Sequence, residues 1–164
     1  MYVSRAGGLR LDMKFVSDDI DSISLHDCDI SEFKFGEDIE LIFEDGFDVA
    51  SPNPLNGTGR HKRTGEAAVV LKNGRYVSGE MSFGRVYNNA GDGFADECRP
   101  ISENELSELQ FEVLAFKFED GTAFFVGDSW KECNFCELKF VCANMLFCWN
   151  EFTDDAWFQD YENE

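Results

Sequence analysis

Residues 24–50 read SLHDCDISEFKFGEDIELIFEDGFDVA, and apolar residues alternate with polar ones through most of this stretch. Strict alternation is typical of a β-strand with one buried face. Cys28 and Ile30 fall on one face of such a strand, so we expect Asp27 and Asp29 to point to the other. The phase of the alternation changes on both sides of this pair, which predicts bends or bulges rather than one straight strand.

Three turn signals elsewhere in the chain predict β-hairpins. EDG at 44–46 and EDG at 119–121 each separate two alternating runs, and their glycines supply the positive φ that a tight turn requires. KNG at 72–74 contains Asn-Gly, the strongest short hairpin signal. Residues 136–142 and 145–149 alternate in the same way and predict two further strands.

Helical signals are scarce, and one long polar segment interrupts the strands. SENELSEL at 102–109 places Ser102 three positions before Glu105, a capping box, and so predicts a short helix. SPNPLNGTGRHKRTGE at 51–66 is rich in turn-forming residues, and we expect it to be an exposed, mobile loop outside the sheet.

Together these signals predict a mainly β chain that forms a single domain over residues 1–164. Antiparallel hairpins are expected to build a sandwich or a barrel-like sheet, with one short helix near 102–109.

The charge of the chain restricts its partners. It carries 33 acidic and 14 basic residues, so its formal net charge is −19. Such a charge repels nucleic acid and anionic membranes and favours a basic protein partner, although an acidic surface can also serve solubility alone. The N-terminus lacks a secretory signal and no apolar run is long enough for a membrane span, so we expect a cytoplasmic protein.

The six cysteines are expected to be thiols in a reducing cytosol. Cys133, Cys136, Cys142 and Cys148 include one CxxC unit that could form half of a zinc site. The second pair lacks that spacing, and the even separation of the last three residues suits small side chains buried in the core. We therefore expect core thiols, with no metal ion and no other cofactor.

No catalytic constellation is evident in the sequence. His26 and Cys28 flank Asp27, but closeness in sequence alone does not make a nucleophile with its base. Neither GxxxxGK[ST] nor GxGxxG occurs in the chain. We expect a binding protein rather than an enzyme.

A protein that binds a basic partner presents acidic side chains beside aromatic anchors. Trp149 lies in an alternating run and should be in the core, whereas the other two tryptophans flank acidic residues. The residues expected to contact a partner are Asp27, Asp29, Glu32, Trp130, Asp154, Asp155 and Trp157.

At LHDCDISEFKFGEDIELIFEDGFDV (25–49) and CWNEFTDDAWF (148–158) the chain resembles small acidic all-β bacterial proteins. It is similar in size and acidity to the immunity proteins of contact-dependent and other polymorphic toxin systems. The resemblance implies a protein that binds and blocks one cognate toxin, often a basic nuclease, in the cytosol of the producing cell. The basic cluster at 60–63 departs from that expectation.

Two alternatives from other functional classes stay open at this stage. The many phenylalanines could surround a small apolar ligand inside a β-barrel. The acidic residues could instead mimic the phosphates of DNA and inhibit a nucleic-acid-binding enzyme.

Overall fold

A computed structural model describes residues 2–3, 12–87, 94–129 and 134–161. Over these residues the chain is mainly β and antiparallel, as the alternation predicted. The strands are β1 (Tyr2–Val3), β2 (Asp12–Met13), β3 (Phe15–Ser17), β4 (Ile23–Ser24), β5 (Cys28–Ile30), β6 (Glu32–Phe35), β7 (Ile39–Phe43), β8 (Asp48–Val49), β9 (Lys62–Thr64), β10 (Ala67–Lys72), β11 (Arg75–Tyr87), β12 (Phe94–Pro100), β13 (Phe111–Glu119), β14 (Thr122–Ser129), β15 (Asn134–Val141), β16 (Asn144–Trp149) and β17 (Phe152–Asp155).

Two larger sheets and one smaller sheet organise these strands. A five-stranded sheet has the order β3-β16-β10-β7-β6, and a six-stranded sheet has the order β12-β11-β15-β14-β13-β5. A four-stranded sheet follows the order β17-β9-β8-β4, and β1 pairs with β2. Each sheet has two edge strands over the described residues, so the fold is the sandwich of the two predicted forms rather than a closed, barrel-like sheet.

The core lies between the five-stranded and six-stranded sheets and is rich in phenylalanine. Phe33 from the first sheet stacks on Phe140 from the second, with ring centroids 6.5 Å apart. Phe147 contacts Phe116 across the same interface at 6.0 Å. Burial of these large apolar rings is the main stabilising term for a domain of this size.

The helix prediction is confirmed, although the helix is shorter than expected. α1 spans Glu103–Leu106. Ser102 accepts a hydrogen bond from the Glu105 N–H, and the Glu105 side chain accepts one from the Ser102 N–H, which completes the capping box.

One of the three predicted hairpins is present. β13 and β14 pair up to Glu119 and Thr122 around Asp120 and Gly121, whose φ angles are 50° and 76°. Positive φ at both central residues defines a type I′ turn, whose twist matches the twist of paired strands.

The other two predicted hairpins are wrong, because each turn carries the chain from one sheet to another. β7 and β8 belong to different sheets although EDG turns between them, and β10 and β11 do likewise around KNG. In these two turns Gly46, the last residue of its turn, and Asn73, a central residue, have positive φ. Neither turn has positive φ at both central residues, so neither is the type I′ turn found at 119–122.

The chain changes sheet even more often within residues 24–50, where the changes in the phase of the alternation predicted bends. β4 lies in the four-stranded sheet, β5 in the six-stranded sheet and β6 in the five-stranded sheet. Asp27, at the bend before β5, has a φ of 57°. Bends rather than a straight strand are therefore confirmed.

The expectation of an exposed loop outside the sheet at 51–66 is confirmed for most of 51–60 and wrong beyond it, while its mobility stays a prediction. Asn53, Asn56 and His61 are buried, and β9 begins at Lys62. The Asn56 amide donates to the carbonyl oxygens of Val49 at 3.1 Å and of Arg60 at 2.8 Å. Asparagine side chains thus satisfy the backbone groups that no sheet ladder satisfies, and they fix the loop in place.

Candidate functional site

Three carboxylates from adjacent strands stand in one line on the outer face of the six-stranded sheet. Asp29 on β5 lies opposite Glu112 on β13, which in turn lies opposite Asp128 on β14. Their chain neighbours Cys28 and Ile30 are buried, so the acidic side chains face outward as the alternation predicted. We call Asp29, Glu112 and Asp128 the acidic row.

The charges of the acidic row repel one another. The pKa of Glu112 is raised, first by partial burial and then by the charges of Asp29, Asp27 and Asp128, while His26 acts in the opposite direction. Like charges directly opposite each other destabilise a sheet. The fold therefore keeps an arrangement that costs stability and that a positive group from outside would relieve.

A cleft next to the acidic row adds two more carboxylates. It has a volume of about 170 Å³ and is lined by Asp29, Ser31, Glu44, Asp45 and Gln110, together with Ile30. Asp29 belongs to both the row and the cleft, so the acidic surface continues from a flat sheet into a concavity.

Exposed aromatic rings border this acidic surface. Trp157 and Tyr161 are 56% and 70% exposed, unusually open for large rings. Trp157 contacts the His26 ring at 6.0 Å and the Tyr161 ring at 6.2 Å. His26 Nε2 lies 3.5 Å from Asp27 Oδ1, which connects the rings to the acidic surface. We call His26, Trp157 and Tyr161 the aromatic corner.

A set of polar contacts holds the segment that carries Trp157, and we call it the C-terminal clamp. Asp155 accepts hydrogen bonds from Arg60 Nη2 at 2.7 Å and from Lys62 Nζ at 3.0 Å. The Ala156 N–H donates to the His61 carbonyl oxygen at 2.9 Å, and the His61 N–H donates to Gln159 Oε1. The basic cluster thus positions the aromatic corner from within the molecule.

We expect the C-terminal clamp to loosen when the pH falls from about 4 towards 2. Hydrogen bonds from Arg60 and Lys62 lower the pKa of Asp155 from 3.8 to about 2. A lowered pKa means that the folded protein favours the ionised Asp155 carboxylate. The stability that this carboxylate contributes is therefore complete above its usual pKa of 3.8 and is lost as the pH falls through the lowered pKa of about 2. Hydrogen exchange at the Ala156 amide, expressed as a protection factor, measures this change.

The Asp155→Asn variant is the control for this acid transition, with a core amide such as that of Leu138 as the internal reference. The variant should show low Ala156 protection already at neutral pH and no further step on acidification. An Ala156 protection factor that stays constant in the wild-type protein while the pH falls to about 2 would contradict the assignment.

The structure brings together three of the residues expected to contact a partner. Asp27 and Asp29 lie on the acidic surface, and the aromatic corner places Trp157 beside them. The sequence alone did not indicate Glu112 and Asp128, because only the register between β5, β13 and β14 places them next to Asp29. Their alternation with buried neighbours was the available signal.

The other expected contact residues lie apart from that group. Glu32 is exposed on the edge strand β6, with its carboxylate 4.0 Å from Lys34 Nζ. Asp154 is exposed on β17, and Asp155 belongs to the C-terminal clamp. Trp130 lies outside the described residues.

The Cys28 thiol is buried and retains its proton at neutral pH. Burial, opposed by Arg63, raises the pKa of Cys28 to about 12. Arg63 Nη1 lies 3.3 Å from both Cys28 Sγ and Asp48 Oδ2, and burial raises the pKa of Asp48 as well. A nucleophilic cysteine instead has a lowered pKa and an accessible thiolate, so this geometry suits a buried link between β5, β8 and β9.

The cysteines of the possible zinc site do not converge where they are described. Cys136 and Cys142 belong to the core between the two large sheets, whereas Cys148 belongs to a separate apolar cluster with Met13 and Val70. Cys133 lies outside the described residues. In the described part of the chain, no three histidine, cysteine or acidic side chains are close enough together to hold a metal ion.

Comparison of the chain with protein-family models, curated proteins and solved structures gives no match. Within the described residues, no helix is both long and apolar enough to cross a membrane.

Proposed function

We propose that this protein binds a basic protein through the acidic row, the adjoining cleft and the aromatic corner. The observation that carries this proposal is the acidic row itself, in which Asp29, Glu112 and Asp128 face one another at a cost in stability. Surfaces with such destabilising charge repulsion are frequently binding surfaces, because a bound partner of opposite charge removes the repulsion between the carboxylates.

The two parts of this surface serve different steps of association. The acidic row and the net charge of −19 attract a basic partner and speed its capture. Trp157 and Tyr161 offer large rigid rings that exclude water from the contact and slow dissociation. The same charge opposes binding of nucleic acid or of an anionic membrane.

The biological role that best suits this surface is that of an immunity-type inhibitor in the bacterial cytosol, which covers the positive active-site cleft of a toxin. The resemblance in the two outer parts of the chain and the buried, protonated Cys28 support a blocking protein over an enzyme. The small-ligand alternative has less support, because Phe33, Phe116, Phe140 and Phe147 fill the core by packing against one another.

A charge-matched pair of variants tests the surface with a hexa-arginine peptide as the probe. The Asp29→Asn, Glu112→Gln, Asp128→Asn triple variant should bind the peptide about tenfold more weakly than the wild type, because each lost ion pair contributes up to about 1 kcal/mol. The variant should fold at least as stably, since it removes the repulsion that raises the pKa of Glu112. Calorimetric titration at low and physiological ionic strength measures the affinity.

The control variant Glu37→Gln, Glu103→Gln, Glu119→Gln has the same net charge and alters exposed side chains outside the acidic row, the cleft and the aromatic corner. We expect it to weaken binding by less than about twofold, because distant exposed charges are largely screened. Equal losses in both triple variants would show that only the net charge matters and would overturn the assigned surface. For the inhibitor role, the decisive observation is a neighbouring gene that encodes a basic toxin domain neutralised by the wild type and not by the acidic-row variant.

A further inference from the structure

A second groove lies on the outer face of the six-stranded sheet, further along β14 from the acidic row, and its floor residue Val126 is two residues from Asp128. Its volume is about 370 Å³, and its charged lining residues are Glu80, Lys117, Glu137 and Lys139. Phe124 and Val126 form an apolar floor between them. We propose that this groove binds a small zwitterion with an apolar body, of the class of an α-amino acid with an apolar side chain.

The positive end of the groove consists of two lysines on either side of one ring. Lys117 on β13 lies opposite Phe124 on β14, and Phe124 lies opposite Lys139 on β15. The Nζ atoms of both lysines lie over the Phe124 ring, at 4.9 Å and 5.7 Å from its centroid. Both ammonium groups lie within 6 Å of one ring centroid, and each keeps N–H donors that an anion could accept.

The negative end of the groove is the next row of the same three strands. Val126 lies opposite Glu137, and Glu137 lies opposite Glu80 on β11. Glu137 and Lys139 are two residues apart on β15, so both side chains point outward at neighbouring positions along one strand. The separation of two residues along a strand is roughly 7 Å.

The lysines and glutamates of the groove do not neutralise each other. Over the described residues, no ion pair within 4.0 Å joins Lys117 or Lys139 to Glu80 or Glu137. Lys117 instead lies 3.7 Å from Glu119, and both of these side chains are more than 60% exposed, at 63% and 68%. An exposed pair of this kind is weak and readily exchanged for another partner.

This arrangement matches a ligand that carries opposite charges a short distance apart. The carboxylate would lie between Lys117 and Lys139, the ammonium group between Glu80 and Glu137, and the apolar body on Phe124 and Val126. A ligand with only one of these charges would leave the opposite pair of side chains uncompensated. Binding at this groove does not depend on the surface proposed above for a basic protein.

Three ligands with the same apolar side chain and different charged groups test the inference: L-phenylalanine, N-acetyl-L-phenylalanine, which lacks the ammonium group, and L-phenylalaninamide, which lacks the carboxylate. Titrations followed by the backbone amide resonances of Phe124 and Glu137 should show the zwitterion binding about fivefold more tightly than either analogue. Equal affinities for all three, or resonance changes confined to other parts of the protein, would overturn the proposal. So would the absence of any change at millimolar L-phenylalanine.

Paired variants assign each end of the groove to its charge. Lys117→Gln with Lys139→Gln should weaken the zwitterion and the N-acetyl analogue about fivefold and leave the amide unchanged. Glu80→Gln with Glu137→Gln should weaken the zwitterion and the amide and leave the N-acetyl analogue unchanged. Lys14→Gln with Lys34→Gln, and Glu37→Gln with Glu66→Gln, all outside the groove, are the charge-matched controls and should change none of the three affinities. Any other pattern of losses would contradict the proposed orientation.

Discussion

Replacing Trp149 with alanine is expected to lower the free energy of unfolding by about 3–5 kcal/mol, the range for a fully buried large aromatic residue. Trp149 is 0% exposed and lies on β16 between β3 and β10. Its ring contacts Phe15 at 5.6 Å, Phe152 at 5.9 Å and Phe47 at 6.1 Å. The contacts with Phe15 and Phe47 join segments that are far apart in the sequence. The cavity left by the alanine substitution would therefore weaken several strands at once.

Urea denaturation of Trp149→Ala and of Val77→Ala measures this effect against a matched surface change. Val77 is 48% exposed, so its loss should change the free energy of unfolding by less than about 0.5 kcal/mol. Trp149→Phe should restore much of the stability, because it keeps an aromatic ring and removes the buried Nε1–H, which has no hydrogen-bond partner among the described residues. A similar small change for both alanine variants would show that this part of the core is not tightly packed.

Replacing Gly46 with alanine is the second large effect, with an expected loss of about 2–4 kcal/mol in the free energy of unfolding. Gly46 has a φ of 76°, which costs an L-residue about 1 kcal/mol or more. In addition, a Cβ atom at this position would collide with the carbonyl oxygen of Thr64 and lie 2.5 Å from that of Gly65. Both atoms belong to the backbone and cannot move aside as a flexible side chain would.

Gly59 separates these two contributions. Its φ of 74° is nearly the same, but a Cβ atom there would have no neighbour within 4 Å. Gly59→Ala should therefore show only the cost of positive φ, about 1 kcal/mol, in the same denaturation experiment. If the two variants were equally stable, the close approach of Gly46 to Thr64 would have no energetic importance.

The sequence predicts the strands well because alternation reports directly on burial. Cys28 and Ile30 are buried while Asp29 is outward, as their spacing required. Asp27, Asp29 and Trp157 could be proposed as contact residues for the same reason, since the sequence alone shows acidic and aromatic side chains at outward positions.

The pairing of strands is what the sequence could not provide. EDG occurs twice, yet it closes a hairpin at 119–121 and changes sheet at 44–46. The two turns differ in the backbone before the glycine, where Asp120 has positive φ and Asp45 does not. Alternation could indicate that Glu112 and Asp128 point outward, but only the strand pairing places them next to Asp29.

The prediction for the loop at 51–66 is wrong only in part, and for a different reason. Its composition of glycine, proline and asparagine is typical of mobile segments, but asparagine can also replace a backbone ladder. Asn56 does so through three carbonyl oxygens, and Arg60 and Lys62 find their counter-charge in Asp155, which is distant in sequence. Composition describes the loop by itself, whereas its order comes from partners elsewhere in the chain.

The sheet-changing turns also determine the order in which this molecule can assemble. Because the turn between β10 and β11 separates these strands into different sheets, β10 pairs with β16 and β11 with β15, both much later in the chain. Over the described residues, the strand β3, which contains Phe15, pairs only with β16, which contains Trp149, 134 positions later in the sequence. Contacts between such distant residues require the closure of long loops, which makes folding slow relative to a chain of simple hairpins. Aromatic residues of the core therefore stay accessible to solvent until β16 pairs. The time before β16 pairs is the time during which the incompletely folded chain can aggregate.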